Sequence, residues 1–442
     1  MVLGQGSFVV KLFVLAILID APLHAHEPTK KVDATVKTFS RASLLGRFDR
    51  DRDNKLNAGE RVVLRDAFGK MDVPMLPTTL YRYRAKQAPR HIDAAALKRM
   101  DNTPADNPLT DAGATLGRVL FYDRQLSKNN TIACASCHLQ KRAFSDTLRF
   151  SLGFENGDTS RNSMSLANLR YTADRGQHPG FFWDERAPTL EEQVLMPIQD
   201  KIEMGMELKE LESKLQALSY YPPLFKAAFG SSTVTRQGIS KAVAQFMRSM
   251  VSLNSRFDQA AAAMETTDYA KKFDDFSKEE NQGKSLFIDG LAGIAEVGCA
   301  HCHIPPTFNM PKSFNTGLDL DYKDQGLGAR NIASNDPFTA NNNGKFKAPS
   351  LRNIAMTAPY MHDGRFKTLE QVVEHYSSGV HPHANVGLAF DEDSIGAKRT
   401  SGFQLTQAQK GALVAFLRTL TDKTFLTDPR FSDPFVRLAK GK

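Results

Sequence analysis

The sequence is poor in cysteine, with four in 442 residues, and it contains a single tryptophan. All four cysteines fall in two five-residue strings, which excludes a scaffold of scattered disulfides. Basic residues (57) exceed acidic ones (49) and give a net charge of +8 that is spread along the chain, whereas nucleic-acid-binding proteins usually concentrate it in one patch. With 41% hydrophobic residues, the composition predicts a globular chain of two or three domains and argues against nucleic acid as a partner.

The first residues have the pattern of a secretory signal peptide. Lys11 precedes an apolar run at residues 12–19, and the stretch Ala21-Pro-Leu-His-Ala25 follows, which ends in a small residue where cleavage is expected. The run is well short of the roughly 20 residues that cross a bilayer as a helix. We therefore expect residues 1–25 to be removed on export, no membrane span in the mature protein, and a location in the periplasm.

Residues 49–60 have a spacing that resembles an EF-hand calcium loop, in which oxygen ligands occupy positions 1, 3, 5, 7 and 12. In this chain those positions hold Asp49, Asp51, Asp53, the carbonyl of Lys55, and Glu60. Asn54 replaces the usual glycine at position six, and asparagine also tolerates a left-handed backbone. The spacing predicts a calcium site within a helical extension; a solvated acidic helix cap is the alternative.

Each pair of cysteines is followed directly by a histidine, and this string is the attachment site of a c-type haem. The two thiols bond to the haem, and the imidazole becomes a ligand of the iron. Two such strings, which use every cysteine of the chain, argue against structural zinc or disulfides. The expected haem-binding residues are Cys134, Cys137 and His138 for the first haem, and Cys299, Cys302 and His303 for the second.

The chain contains an internal repeat that extends beyond the haem strings. Residues 116–121 and 282–287 share a Gly-X-X-Leu-Phe pattern and precede the two strings at similar distances. Residues 182–191 match residues 361–370, and each stretch has a threonine where a helix N-cap is expected, before a run of apolar and acidic residues. A repeat of this kind, with helical periodicity around it, predicts a duplicated domain of small helices and long loops.

These motifs, from about residue 107 to 420, resemble the bacterial di-haem cytochrome c peroxidases and their MauG-type relatives. The resemblance rests on residues 116–123, both haem strings, Phe182-Trp183-Asp184, residues 197–204 and residues 349–364. It implies a mainly α fold in which two cytochrome-c-like haem domains face each other. The predicted domains are a signal peptide (1–25), an N-terminal extension (26–100), a peroxidatic domain (101–265), an electron-transfer domain (266–425) and a tail (426–442).

In this family the first haem reacts with hydrogen peroxide. The resemblance implies that Glu203 is the distal proton shuttle, with a pKa raised by its pocket, and that Gln193 and Pro197 are its neighbours. The histidine that caps this iron in peroxidases needing prior reduction is replaced by Phe154, which cannot bind iron. We therefore expect a first haem that is open to peroxide at rest; His178 is the alternative ligand.

The second haem needs a closed coordination sphere for electron transfer. The family uses Met or Tyr as the second ligand, and Tyr376 occupies that position, as in the MauG-type enzymes. A phenolate favours the higher oxidation states of iron. His375, Met361 and Met356 are the rival ligands.

Two further roles follow from the resemblance alone. Trp183 matches the residue between the two haems and is expected to relay electrons, although a buried structural tryptophan is the alternative reading. The family also holds a calcium ion between its domains, and Asn162, Thr357 and Pro359 occupy the corresponding positions.

The expected function is reduction of hydrogen peroxide to water at the first haem. Electrons pass through the second haem from a small c-type cytochrome or cupredoxin, without reductive pre-activation. One alternative is MauG-like oxidation of a protein substrate by a bis-ferryl-type state, and another is a non-catalytic di-haem electron-transfer cytochrome. A homodimer is one oligomeric state that is compatible with the sequence.

Overall fold

The computed structural model describes residues 74–84, 89–172, 180–290, 298–330, 341–383, 385–386 and 402–435. The predicted signal peptide, the EF-hand-like loop (residues 49–60) and His178 lie outside these residues. Within the described ranges, no helix combines the length and the hydropathy of a membrane span.

The described residues form helices joined by long loops, with a short antiparallel ribbon, so the predicted mainly α fold is confirmed. The helices of the first half are α1 (Ala94–Met100), α2 (Asp111–Tyr122), α3 (Cys134–Cys137), α4 (Leu190–Gln199), α5 (Leu208–Gln216), α6 (Tyr221–Phe229) and α7 (Arg236–Ser249). Those of the second half are α8 (Arg256–Ala263), α9 (Lys278–Ile288), α10 (Leu369–Ser378) and α11 (Gln407–Thr419). The ribbon pairs β1 (Ser313–Phe314) with β2 (Phe346–Lys347).

Each half of the chain has its own hydrophobic core. In the first core, α2 packs along α7, and α4 and α6 cover their sides. In the second core, α9 packs along α11, and α8 and α10 complete it. Three aromatic residues that follow α11 return to the first core and are nearly fully buried there: Phe425, Phe431 and Phe435.

The two helix pairs are held at close range by equivalent glycines. A Cβ atom on Gly117 of α2 would lie 2.0 Å from the carbonyl oxygen of Ala242 in α7. A Cβ atom on Gly283 of α9 would lie 1.8 Å from the carbonyl oxygen of Ala412 in α11. The glycine of the repeated Gly-X-X-Leu-Phe pattern is therefore the residue that lets two helix backbones touch.

The second part of the repeat, residues 182–191 and 361–370, has the same local structure in both copies. Phe182 and Met361 both have a left-handed backbone, with φ of 71° and 73°. Thr189 and Thr368 cap α4 and α10, and each hydroxyl accepts a hydrogen bond from the backbone N–H three residues later. The predicted N-caps are confirmed, and the predicted repeat is visible as duplicated local structure.

We expect the substitution Gly283→Ala to destabilise the protein by about 2 kcal/mol or more, because the added methyl group meets a backbone carbonyl that cannot move away alone. Gly411→Ala in the facing helix is the matched control. Its Cβ would meet only the end of the flexible Glu279 side chain, at 3.3 Å. The control should be neutral, or more stable by roughly 0.5–1 kcal/mol, since alanine favours a helix. Denaturant unfolding of both variants measures the difference, and equal losses would contradict this account.

Candidate haem centres and peroxide site

The first haem string forms α3 and one wall of a pocket in the first domain. The backbone N–H of Ala133 donates to Ser136 Oγ (3.0 Å), and the His138 N–H donates to the carbonyl oxygen of Cys134 (3.0 Å). These bonds fold the string into one turn, which places Cys134, Cys137 and His138 on the same pocket. The pocket and its mouth have a volume of about 1460 Å³.

The orientation of His138 is fixed by a backbone carbonyl. Its Nδ1 lies 2.8 Å from the carbonyl oxygen of Phe144, and because a carbonyl only accepts, Nδ1 carries the proton. Nε2 then keeps its lone pair, as an iron ligand requires. Burial lowers the pKa of His138, which keeps the ring neutral.

The second haem string forms a tighter 3-10 turn (Cys299–His301), and the His303 N–H again donates to the carbonyl oxygen of the first cysteine, Cys299 (3.0 Å). Cys299, Cys302 and His303 line a pocket whose volume, with its mouth, is about 1550 Å³. His303 Nδ1 lies 3.1 Å from the carbonyl oxygen of Pro349 and 3.3 Å from that of Phe308. Burial lowers the pKa of His303 to about 4, so this imidazole is neutral as well.

The donor sets fit two c-type haems. None of the four cysteines is in a disulfide, and each pair shares its pocket with a neutral imidazole whose Nδ1 faces a backbone carbonyl. The remaining lining is largely apolar, as a porphyrin requires.

Glu203 lies in a turn after α4 that is organised by Asp200. Asp200 Oδ1 accepts hydrogen bonds from the backbone N–H groups of Ile202 (2.8 Å) and Glu203 (2.9 Å). This turn brings the half-buried Glu203 side chain to the first pocket, where Gln193 and Pro197 of α4 also lie. The three predicted pocket residues are therefore together.

The pKa of Glu203 is raised to about 7, first by burial and second by the negative charge of Asp200, while Arg186 opposes the shift. A carboxyl group that titrates near neutral pH can accept a proton and return it. Glu203 is therefore suited to acid–base chemistry in this pocket.

Phe154 is buried and contacts the backbone of Glu203. Its backbone N–H donates to the carbonyl oxygen of Glu203 (3.0 Å), and its ring packs so closely on Gly205 that a Cβ there would be 2.5 Å from the ring. Phe154 is not one of the residues lining the first pocket. Its side chain supports the Glu203 turn and offers no ligand atom.

Trp183 lines both pockets. Its indole Nε1 donates to the carbonyl oxygen of Asn162 (2.8 Å), and its own carbonyl accepts from the backbone N–H of Lys347 in β2 (2.8 Å). The single tryptophan is thus held by both halves of the chain, in the wall that separates the two pockets.

Tyr376 lies on α10 and lines the second pocket. Burial, and next the thiols of Cys302 and Cys299, raise the pKa of its phenol. Of the rivals, His375 points its Nε2 at the carbonyl oxygen of Thr316 (3.1 Å), and only Met361 lines the pocket with Tyr376.

The predicted residues of the interdomain calcium site also meet at the second pocket, which Asn162, Thr357 and Pro359 all line. The Asn162 amide nitrogen donates to the carbonyl oxygens of Leu148 (3.3 Å) and Arg149 (3.1 Å). The amide oxygen is the atom of Asn162 that suits a calcium ion.

Sequence reasoning missed an ion-pair network in the wall next to Trp183. Arg161 Nη1 lies 2.7 Å from Asp184 Oδ2, and its Nε lies 2.7 Å from Asp324 Oδ2 of the second domain. The sequence did point to Asp184 as a residue of interest, since it belongs to the Phe-Trp-Asp motif. It did not point to Arg161 or Asp324, because isolated charged residues have no periodicity or spacing that indicates a partner.

A comparison with protein families gives a match to the di-haem cytochrome c peroxidases over residues 111–266 and 277–391. The methylamine utilization protein MauG of Methylophilus methylotrophus is 33% identical over 325 residues, which are 73% of this chain and 87% of that protein. A cytochrome c551 peroxidase of Nitrosomonas europaea is 30% identical over 310 residues, which are 70% of this chain and 79% of that protein.

Solved structures show the same fold. A MauG-like protein associated with microbial copper homeostasis matches with a TM-score of 0.62 and 34% identity, covering 79% of this chain and 99% of that one. The di-haem peroxidase BthA of Burkholderia thailandensis matches with a TM-score of 0.58 and 26% identity, covering 72% and 88%.

The chain belongs to the di-haem cytochrome c peroxidase family. The predictions of the family and of a peroxide-dependent oxidoreductase are confirmed. Membership implies two c-type haems, and as reactants it implies peroxide together with either a redox-protein donor or a protein substrate.

We expect Asp200→Asn to lower the pKa of Glu203, because the substitution removes the negative charge that helps to raise it. Asparagine keeps an oxygen that can accept the two backbone hydrogen bonds of the turn. The carboxyl stretch of Glu203, identified by its loss in Glu203→Gln, should disappear at lower pH in the Asp200→Asn variant. An unchanged titration near pH 7 in infrared spectra would contradict this electrostatic assignment.

Proposed function

We propose that the protein is a periplasmic peroxidase that reduces hydrogen peroxide to water in the first pocket, without reductive pre-activation. Electrons enter from a small c-type cytochrome or cupredoxin and pass through the second pocket. The observation that carries the proposal is the difference between the pockets: the first presents Glu203, and the second presents Tyr376.

The bound haems would supply the redox chemistry, with His138 and His303 as proximal ligands. In the first pocket, Glu203 takes a proton from one peroxide oxygen and gives it to the other, which makes water the leaving group. Gln193 and Pro197 shape the space around that carboxyl group. Phe154 offers no ligand to close the pocket, which supports activity of the protein as isolated.

Trp183 provides the path between the two sites. Its ring lies in the shared wall, and its indole hydrogen bond to Asn162 holds it in one orientation. A fixed aromatic ring in contact with both pockets keeps each electron-transfer step short. In the second pocket, the phenol oxygen of Tyr376 would help to hold the haem iron, which would leave that iron to electron transfer and not to peroxide.

Oxidation of a protein substrate is the second candidate, and the 33% identity to a MauG favours it, as does the tyrosine in the second pocket. The two functions differ in their donor. Steady peroxide turnover with a reduced small cytochrome or cupredoxin supports the first function, while failure with every small donor supports the second. In both, the interdomain calcium ion would be held by Asn162, Thr357 and Pro359.

We expect Glu203→Gln to slow the reaction of the as-isolated ferric protein with peroxide by about 10²–10⁴-fold, because glutamine cannot transfer a proton. In the wild type the rate should fall as the pH drops through about 7, where Glu203 becomes protonated and can no longer accept the peroxide proton. Stopped-flow absorption at the Soret band measures both effects.

Glu207→Gln, at an exposed position before α5, is the matched control and should keep the wild-type rate and pH profile. A wild-type protein whose Soret band does not change with peroxide would instead be an electron-transfer cytochrome.

We expect Tyr376→Met to raise the reduction potential of the second haem, since a thioether favours reduced iron and a phenolate favours oxidised iron. Tyr360→Phe is the control, because Tyr360 also lines the second pocket but its hydroxyl donates to the carbonyl oxygen of Ile354 (3.0 Å). Spectroelectrochemical titration of both variants measures the shift. If neither the potential nor the spectrum changes in Tyr376→Met, Tyr376 is not the ligand.

A further inference from the structure

Two adjacent tyrosines share one buried carboxylate in the first domain. The hydroxyls of Tyr220 and Tyr221 both donate to Asp123 Oδ2, each at 2.7 Å. Their ring centroids are 4.6 Å apart. Tyr221 is fully buried, and Tyr220 and Asp123 are 3% and 4% exposed. No step of the proposed peroxide reaction uses these three residues.

This cluster lies against the first haem pocket. Tyr221 belongs to the same hydrophobic core as Cys134, a haem attachment residue, and Cys134 is close enough to act electrostatically on the Tyr221 phenol. Asp123 follows the end of α2, two residues after Phe121, which lines that pocket. The tyrosines are therefore neighbours of the proposed peroxide-reactive centre.

Asp123 is arranged as a base. Besides the two phenols, the backbone N–H of Gln125 donates to its Oδ1 (2.8 Å). All three of these groups donate hydrogen bonds to Asp123, and an ionised carboxylate can accept all of them. Lys214 lies near enough to interact with Asp123 electrostatically, and its positive charge favours the ionised form.

The hydroxyls of two other buried tyrosines of the first core donate to backbone carbonyls. Tyr122 donates to the carbonyl oxygen of Phe431 (2.6 Å), and Tyr83 donates to that of Arg430 (3.0 Å). A backbone carbonyl is too weak a base to keep a proton. When a tyrosine loses an electron, its phenol becomes strongly acidic and must release the proton, so a carboxylate partner makes oxidation far easier than a carbonyl does.

We propose that Tyr220 and Tyr221 form a redox-active pair that takes up one oxidising equivalent from the peroxide-oxidised first centre. The electron passes from a phenol to that centre, the O–H bond breaks, and the proton moves to Asp123 Oδ2. The products are a neutral tyrosyl radical, a neutral carboxylic acid and a centre reduced by one equivalent. Because the anionic tyrosine–carboxylate unit becomes neutral, the apolar surroundings do not oppose the step.

The proposed role is a sink for oxidising equivalents when the donor is absent. The contact between the two rings lets either phenol carry the radical, and burial keeps it from solvent. The inference rests on the proposed peroxide reaction, because peroxide is the oxidant that drives it.

The test mixes the ferric holoprotein with one equivalent of hydrogen peroxide, without donor, and freezes the mixture for electron paramagnetic resonance. Ring-deuterated tyrosine in the expressed protein identifies a tyrosyl signal by its altered hyperfine pattern. We expect this signal in the wild type and loss of most of it in the double variant Tyr220→Phe/Tyr221→Phe. Asp123→Asn should also lose it, because the amide can hold the hydrogen bonds but cannot take the proton.

Tyr83→Phe is the matched control, since it removes a buried phenol of the same core without touching the carboxylate, and it should keep the signal. The Soret band of the same samples tests the proposed peroxide reaction separately from the tyrosine pair. A Soret change with a tyrosyl signal that survives in the double variant, or that Tyr83→Phe removes, overturns the tyrosine pair alone. A Soret band that peroxide leaves unchanged overturns the proposed function, and the redox role of the pair with it.

Discussion

The backbone of Asn162 joins the two haem pockets. Its carbonyl oxygen accepts the indole hydrogen bond of Trp183 (2.8 Å), and its N–H donates to the carbonyl oxygen of His362 (2.7 Å). Trp183 and His362 occupy equivalent positions in the two copies of the repeat. The duplicated loops therefore meet at one residue, and this contact lies in the wall that the two pockets share. The neighbouring Arg161–Asp184 and Arg161–Asp324 ion pairs reinforce that wall, and the proposed electron path runs through it.

A second connection runs from residues 425–432 to the first haem pocket. Phe425 and Phe431 pack on Phe144 with ring centroids 5.6 and 6.4 Å apart, and the carbonyl of Phe144 orients His138. Arg118 and Tyr122 of α2 bind the backbone of the same segment, through the carbonyl oxygens of Ser432 (2.7 Å) and Phe431 (2.6 Å). His138, the proposed proximal ligand of the first haem, is thus supported by residues that follow α11 in the sequence.

The features that could be predicted from the sequence are those that a short motif or a repeated pattern of residues indicates. The haem strings indicate covalent attachment of haem, the repeated Gly-X-X-Leu-Phe pattern indicates a duplicated helical domain, and a threonine before an apolar and acidic run indicates an N-cap. The close helix crossings at Gly117 and Gly283 were not predicted and became visible only in the structure. Contacts between distant residues leave no such pattern. The return of Phe431 to the first core and the pairing of Tyr221 with Asp123 depend on the route of the chain in space, and their sequence surroundings are those of any buried aromatic residue.

The repeat also shows how two similar domains come to have different chemistry. Pro197 and Tyr376 are each the eighth residue after the threonine that caps their helix, and each lines the haem pocket of its own domain. The equivalent helices α4 and α10 therefore each present a residue to the pocket at the same position of the repeat. Proline has no side-chain atom that can bind a metal, so this position offers no side-chain ligand to the first pocket, which Glu203 also lines. Tyrosine at the equivalent position offers an oxygen that can bind iron. Under the proposed function, the difference at this repeated position helps to distinguish the pocket for peroxide from the pocket for electron transfer.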